Sequence, residues 1–142
     1  MLFFIFITVL ELFPGESKIQ QEIKKTSKSL DKIQSLLEEN PHLVNHKDKC
    51  GYTALLDACA DGSVEVVEML IKHGANVNIF NEKEIVTPLM DVCHAGHVNL
   101  IEIILQAGAE VSMRDRKGWS AADYLEDAIR TNTVDRIEGM LF

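Results

Sequence analysis

The chain has 142 residues, 46% of them hydrophobic, the size of one domain with enough apolar side chains to build a core. Fourteen basic against 22 acidic residues give a net charge of −8, which excludes nucleic acid as a direct ligand because phosphate binding needs a basic face. Three cysteines, an odd and small number, exclude a disulfide framework and fit a reducing compartment, so an intracellular location, nuclear or cytoplasmic, is expected.

From Leu2 to Val9 the sequence is almost wholly apolar, and Leu10, Leu12 and Phe13 continue around Glu11. As a secretory signal the run lacks a basic leader, and Phe13-Pro14-Gly15-Glu16 is a poor cleavage site. As a membrane span it is short, against the roughly 20 apolar residues a bilayer needs. Residues 1–17 are set apart as a segment that is disordered, packed on the first unit, or a signal or anchor; no membrane partner is expected. Next, Leu30, Ile33, Leu36 and Leu37 predict a helix that Asn40-Pro41 ends.

A pattern then occurs twice. Thr53-Ala54-Leu55 returns as Thr87-Pro88-Leu89, Asp57 as Asp91, Cys59 as Cys93, Gly62 as Gly96, and Gly74-Ala75 as Gly108-Ala109. Thr53 and Thr87 predict helix caps, with Pro88 at the favoured first helical position. Val64, Val67, Leu70 and Ile71 form an apolar stripe at three- and four-residue spacing, and Gly74 and Gly108 stand where a second helix must stop in a left-handed cap. Cys59 and Cys93 share a position that suits small buried apolar groups, and His73 reads as a residue at a helix end. A last unit begins at Gly118-Trp119-Ser120, stretches by about three residues around Arg130 to Thr133, and closes its core with Val134, Ile137 and Leu141. A fixed period in the twenties to forties marks a solenoid, whose end units are irregular because one face meets water.

Together, Thr-Ala/Pro-Leu, Ala58, Gly62 and Gly74-Ala75-Asn76-Val77-Asn78 resemble the ankyrin repeat family, from roughly Lys28 to Phe142. The resemblance implies an all-α solenoid of about four helix-turn-helix units with hairpin loops and atypical terminal repeats, at about 18–47, 48–81, 82–115 and 116–142. It also implies that His97 is structural. The loop before Thr87 departs from the pattern, with one extra residue and Ile85 where the family usually has glycine, so a distorted hairpin is expected.

Catalytic chemistry finds little support. No glycine-rich phosphate loop, HExxH or nucleophile-elbow pattern is present, and Cys93 and His94, adjacent on one helix, point about 100° apart. The histidines show no ligand spacing with the cysteines. The expectation is a monomeric, non-catalytic protein-binding module without cofactor or metal.

In the implied geometry the position four after each repeat Thr/Ser faces a concave groove, and here it reads Asp57, Asp91 and Tyr124. His94 and Asp61 lie near it, while Asp48, Tyr52, Glu82, Glu84 and Trp119 mark the hairpin tips. Between Asp48 and Met113 ten acids face three bases, a surplus of seven that would steer a basic partner. An acidic groove edged by rings suits an extended basic peptide, with carboxylates pairing the cation and rings packing its stem. The alternatives are that Tyr52 and Trp119 merely pack the hairpins, or that the domain is a scaffold or inhibitory subunit that binds a folded protein.

A narrower resemblance joins Asp48-Lys49-Cys50-Gly51-Tyr52-Thr53-Ala54-Leu55-Leu56-Asp57-Ala58-Cys59, Val86-Thr87-Pro88-Leu89-Met90-Asp91 and Val111 to Gly118 to the ankyrin domains of the Tonsoku-like DNA repair family. Those domains read the unmodified N-terminal tail of a core histone. The resemblance implies that Tyr52 is an aromatic wall, that Asp57 and Asp91 surround an unmethylated lysine, and that Asp48 is a groove residue kept at the hairpin. It departs at Leu56 and Met90, which replace histidines, and at Ala60, which replaces an asparagine.

Overall fold

The structure, a computed structural model, describes residues 18–23 and 29–141, with side chains described as far as Asn132. The expectations for residues 1–17, and for the side chains of Val134, Ile137 and Leu141, fall outside the described residues.

Helices follow from the caps. α1 spans Lys18–Ile23; α2 spans Leu30–Glu39, with Ser29 Oγ accepting from the Lys32 N–H. A 3-10 turn, Pro41–Asn45, follows. α3 (Ala54–Asp61) opens on Thr53, whose hydroxyl accepts from the Leu56 N–H, and α5 (Pro88–Ala95) opens in the same way on Thr87 and Met90. Each such cap stabilises its helix by about 1 kcal/mol. α4 (Val64–Lys72) and α6 (Val98–Gln106) are the second helices of the two central units. His73 is the C-terminal cap of α4, as expected, and Gly74 and Gly108 follow with φ of +90° and +94°. α7 runs Ala121–Leu141. Among the described residues there is no strand, so the fold is an all-α solenoid of stacked helix pairs.

The helices lie in two rows. α1, α3, α5 and α7 pack in succession to form the inner row, and α2, α4 and α6 back them. Between the rows lies one apolar core built from the predicted stripe: Ile33, Leu37, Leu55, Val67, Leu70, Leu89, Leu100 and Ile104 are all buried, with Cys59 and Cys93 among them.

Neighbouring units are latched by polar contacts that repeat down the stack. Asn45 accepts from the Asn76 N–H at 2.8 Å and donates to the Gly74 carbonyl, and Asn78 repeats this pair with the Glu110 N–H and the Gly108 carbonyl. His97 lies over Gly62 with its Nε2 3.3 Å from the Ala60 carbonyl oxygen. Gly62 has φ +78°, and a Cβ there would meet the His97 ring at 2.6 Å, so backbone conformation and close approach both call for glycine. His97 is structural, as the family resemblance implied.

Two regions differ from a regular array. The loop before Thr87 turns through Ile85 at φ +61°, with the Ile85 N–H on the Asn81 carbonyl and the Glu84 N–H on Asn81 Oδ1. That is the expected distortion, and a β-branched residue in left-handed conformation costs of order 1–2 kcal/mol. The fourth unit has a single unbroken helix where a stretched turn near Arg130 was expected. The reason lies in the residues: Gly62 and Gly96 end the first helices of the two central units in left-handed conformation, whereas no glycine or proline stands between Ala121 and Glu138. No helix among the described residues is long and apolar enough to cross a membrane.

Candidate functional site

The first turns of α3 and α5 carry Asp57 and Asp91 at equivalent positions, and the two helices pack side by side. Tyr52 precedes the α3 cap on the hairpin, and its hydroxyl feels Glu84, Asp91 and Asp57. Burial first, then these carboxylates, raise its pKa, opposed by a hydrogen bond with Asn81. Asp91 is half-buried. Its carboxyl is pushed up to about 7, first by burial and then by the negative charges of Asp57 and Glu84. Its Oδ2 is buried with no hydrogen-bond partner among the described residues. Tyr52, Asp57, Glu84 and Asp91 therefore share one electrostatic neighbourhood on the inner face, and an orphaned carboxylate oxygen lies within it.

Asp57 is better served. Gln20, fully buried on α1, donates through Nε2 to the Tyr52 carbonyl at 3.0 Å and to Asp57 Oδ2 at 3.4 Å. The first unit thus reaches into the groove. The sequence reading missed Gln20, since a single glutamine in a short irregular helix carries no pattern.

Towards the fourth unit the face turns aromatic. Tyr124 lies edge-on to His94, with centroids 5.3 Å apart, and tilts against Trp119 at 5.1 Å. The Tyr124 hydroxyl donates to Asp115 Oδ2 at 2.5 Å, and that bond, with burial and Asp115's charge, pushes its pKa up to about 12. Burial alone would raise the Asp115 carboxyl, but bonds from Tyr124 and from the N–H groups of Trp119 and Lys117 hold it below the usual range. Tyr124 is thereby fixed beside the groove, and Trp119 stays 37% exposed at its rim.

The remaining predicted residues lie elsewhere in the geometry. Asp48 Oδ1 accepts from the N–H groups of Cys50 and Tyr52, both at 2.9 Å, so its carboxylate folds the first hairpin. Asp115 does the same for Lys117 and Trp119. The spacing Asp-x-x-Gly, shared by Asp48–Gly51 and Asp115–Gly118, is the signal that could have assigned both to turns and found Asp115. Asp61, a turn beyond Asp57 at the far end of α3, accepts from the Ser63 hydroxyl at 2.6 Å. Leu56 and Met90 are buried in the core and do not line the groove.

The hairpins hold Glu84 in place. Arg116 donates from its backbone to the Glu84 carbonyl at 3.0 Å and from its guanidinium to the Glu82 carbonyl at 2.9 Å. Between the first two hairpins a cleft of about 470 Å³ opens, walled by Tyr52, Asn81 and Glu84. No group of three or more His, Cys, Asp or Glu among the described residues is arranged to hold a metal.

These features define a helical repeat solenoid whose inner face is acidic at the central units and aromatic towards the fourth. The chain belongs to the ankyrin repeat family: the family of ankyrin repeats, in three copies, matches residues 23–115. The ankyrin repeat is a non-catalytic fold for protein–protein interaction. The chain is 39% identical over 64 residues, 45% of its length, to BCL-6 corepressor-like protein 1 of Mus musculus and of Homo sapiens. It is 51% identical over 35 residues, 25% of its length, to the human BCL-6 corepressor. It is also 37% identical over 52 residues, 37% of its length, to the mouse serine/threonine-protein kinase TNNI3K. The chain spans 4%, 2% and 6% of these relatives' own lengths, respectively.

Proposed function

We propose that this domain binds an extended basic segment along its inner face, with one unmodified lysine ammonium seated between Asp57 and Asp91 against the Tyr52 ring. The observation that carries this reading is Asp91. A carboxylate oxygen buried without a partner, in the field of two further carboxylates, is costly to hold and is relieved by a cation donating into it. An ammonium has three donor hydrogens, and each methyl group removes one, so the site discriminates against methylated lysine. The Tyr52 ring packs the aliphatic stem, and Tyr124, His94 and Trp119 continue the wall for the residues that follow.

The candidate segment is the N-terminal tail of a core histone, which would make this a nuclear chromatin module. The resemblance of residues 48–59 and 86–91 to histone-reading ankyrin domains supports it, as do relatives whose names describe corepressors. Titration calorimetry with lysine-containing tail peptides, unmethylated and mono-, di- and trimethylated, tests it. We expect binding that weakens with salt and with each methyl group, and that falls by a factor of ten or more in Asp91→Asn, about the loss expected when one partner of a buried charged pair is removed. Binding that survives Asp57→Asn plus Asp91→Asn would overturn the reading. If that double variant keeps a partner that Trp119→Ala loses, the domain is a scaffold for a folded protein.

A further inference from the structure

Equivalent positions in α4 and α6 meet different surroundings. Val67 of α4 is buried and Val64 and Ile71 are half-buried, and α6 packs against α4. Their counterparts on α6 are more exposed: Val98 is 64% exposed, Leu105 is 41% exposed, and Ile101 is half-buried where Val67 is fully buried. The loops repeat the contrast, with Val77 7% exposed and Val111 59% exposed. The α6 face therefore has the form of one side of an inter-repeat interface whose other side is absent among the described residues.

The missing side is a second helix of the fourth unit, and α7 is too straight to supply it to its own chain. At 1.5 Å per residue α7 is about 31 Å long, whereas α5, on which it packs, is about 12 Å. The two part at the C-terminal end of α5, where a cleft of about 440 Å³ opens between His94–Gly96 and the α7 residues Asp127, Thr131 and Asn132. Residues 133–141 run on beyond that point as helix. They number nine, the length of α4 and of α6, and their sequence places Val134, Ile137 and Leu141 at the spacing of Val64, Val67 and Ile71.

We propose that the bare face of α6 is a self-association surface, covered by residues 133–141 of α7 from a second copy of the chain, with the exchange reciprocal. Each copy then completes the fourth repeat of the other, and the unbroken helix is the open arm of a swapped dimer. This surface is separate from the acidic groove and replaces the expectation of a monomer.

Sedimentation velocity of the full chain over a concentration series tests it. A dimer whose population rises with concentration is expected. Val98→Asp with Leu105→Asp, both at exposed positions and expected to leave the helix content unchanged, should weaken dimerisation by at least about tenfold, because an interface charge must be desolvated. Ile137→Asp should do the same from the other side. Inserting Gly-Asn-Gly after Asn132 lets the arm fold back on its own α6 and should yield a monomer of unchanged helix content. A chain that stays monomeric at every concentration overturns the proposal, as does a dimer unmoved by the double aspartate variant or by the insertion.

Discussion

Asp57 and Asp91 hold the same place in consecutive repeats, four residues after a capping threonine, yet their environments differ. Asp57 receives the Gln20 amide from α1, while Asp91 feels the charges of Asp57 and Glu84 and keeps one oxygen without a partner among the described residues. A repeat reproduces a side chain's position but not its neighbours. The second unit is flanked by the irregular first one, and the third by the distorted hairpin that carries Glu84. In the proposed binding mode that inequality makes Asp91, with its unpartnered oxygen, the acid with more to gain from a cation.

The strongest control asks whether the two repeats are equal in their cores. Leu55→Ala and Leu89→Ala should each cost about 2–5 kcal/mol in chemical denaturation, because both leucines are buried and leave a cavity. A large difference between them would mean that the inequality begins in the core and not in the groove.

The sharper test exchanges charge without shape. Asp91 has a folded pKa raised above its unfolded value, so the native state keeps a proton that the unfolded chain has lost. Stability then falls as pH rises from about 4 to about 7, and the cost of the ionised group is fully present above that. Asp91→Asn should stabilise the fold by about 1–3 kcal/mol at pH 8 and by little at pH 4, read from urea melts at both pH values. For binding the sign reverses, since a lysine needs the ionised acid: affinity should drop as pH falls through about 7. Near pH 7 complex formation should release protons, detectable by calorimetry in buffers of different ionisation enthalpy.

A smaller effect compares the two left-handed glycines that end α3 and α5. Gly62→Ala meets both an unfavourable φ and the His97 ring, whereas Gly96→Ala, at φ +72°, meets no neighbour within 4 Å. Thermal melts should show Gly96→Ala losing about 1 kcal/mol and Gly62→Ala more than that. Smallest is Ile85→Gly, which relieves the left-handed isoleucine and should gain about 0.5–1 kcal/mol, partly offset by the freedom of glycine in the unfolded chain. If Glu84 sets the Asp91 charge state through this turn, the same variant should blunt the pH dependence of binding.

Much of the fold was legible because it rests on local chemistry. Capping threonines, the Val64–Ile71 stripe, and glycines at Gly74 and Gly108 each state a boundary, and the repeat states the packing partner. The placement of Asp57, Asp91 and Tyr124 on successive inner helices was legible because it depends on the repeat position. Gln20 was not, because its partners Tyr52 and Asp57 are more than 30 residues away and no periodicity links them. Nor was the hairpin role of Asp48 separated from a ligand role, although its Asp-x-x-Gly spacing carries that information. The straight course of α7 was missed because the repeat pattern predicts a turn there, while the residues from Arg130 to Thr133 contain nothing that makes one.

Cys59 and Cys93 are buried, and burial drives both thiols to higher pKa, so neither offers a ready thiolate; Cys50 is exposed on the first hairpin, two residues from Tyr52. The native chain therefore provides a single alkylation handle beside the groove. A maleimide dye attached at that position would turn peptide docking into an optical signal without any engineered mutation.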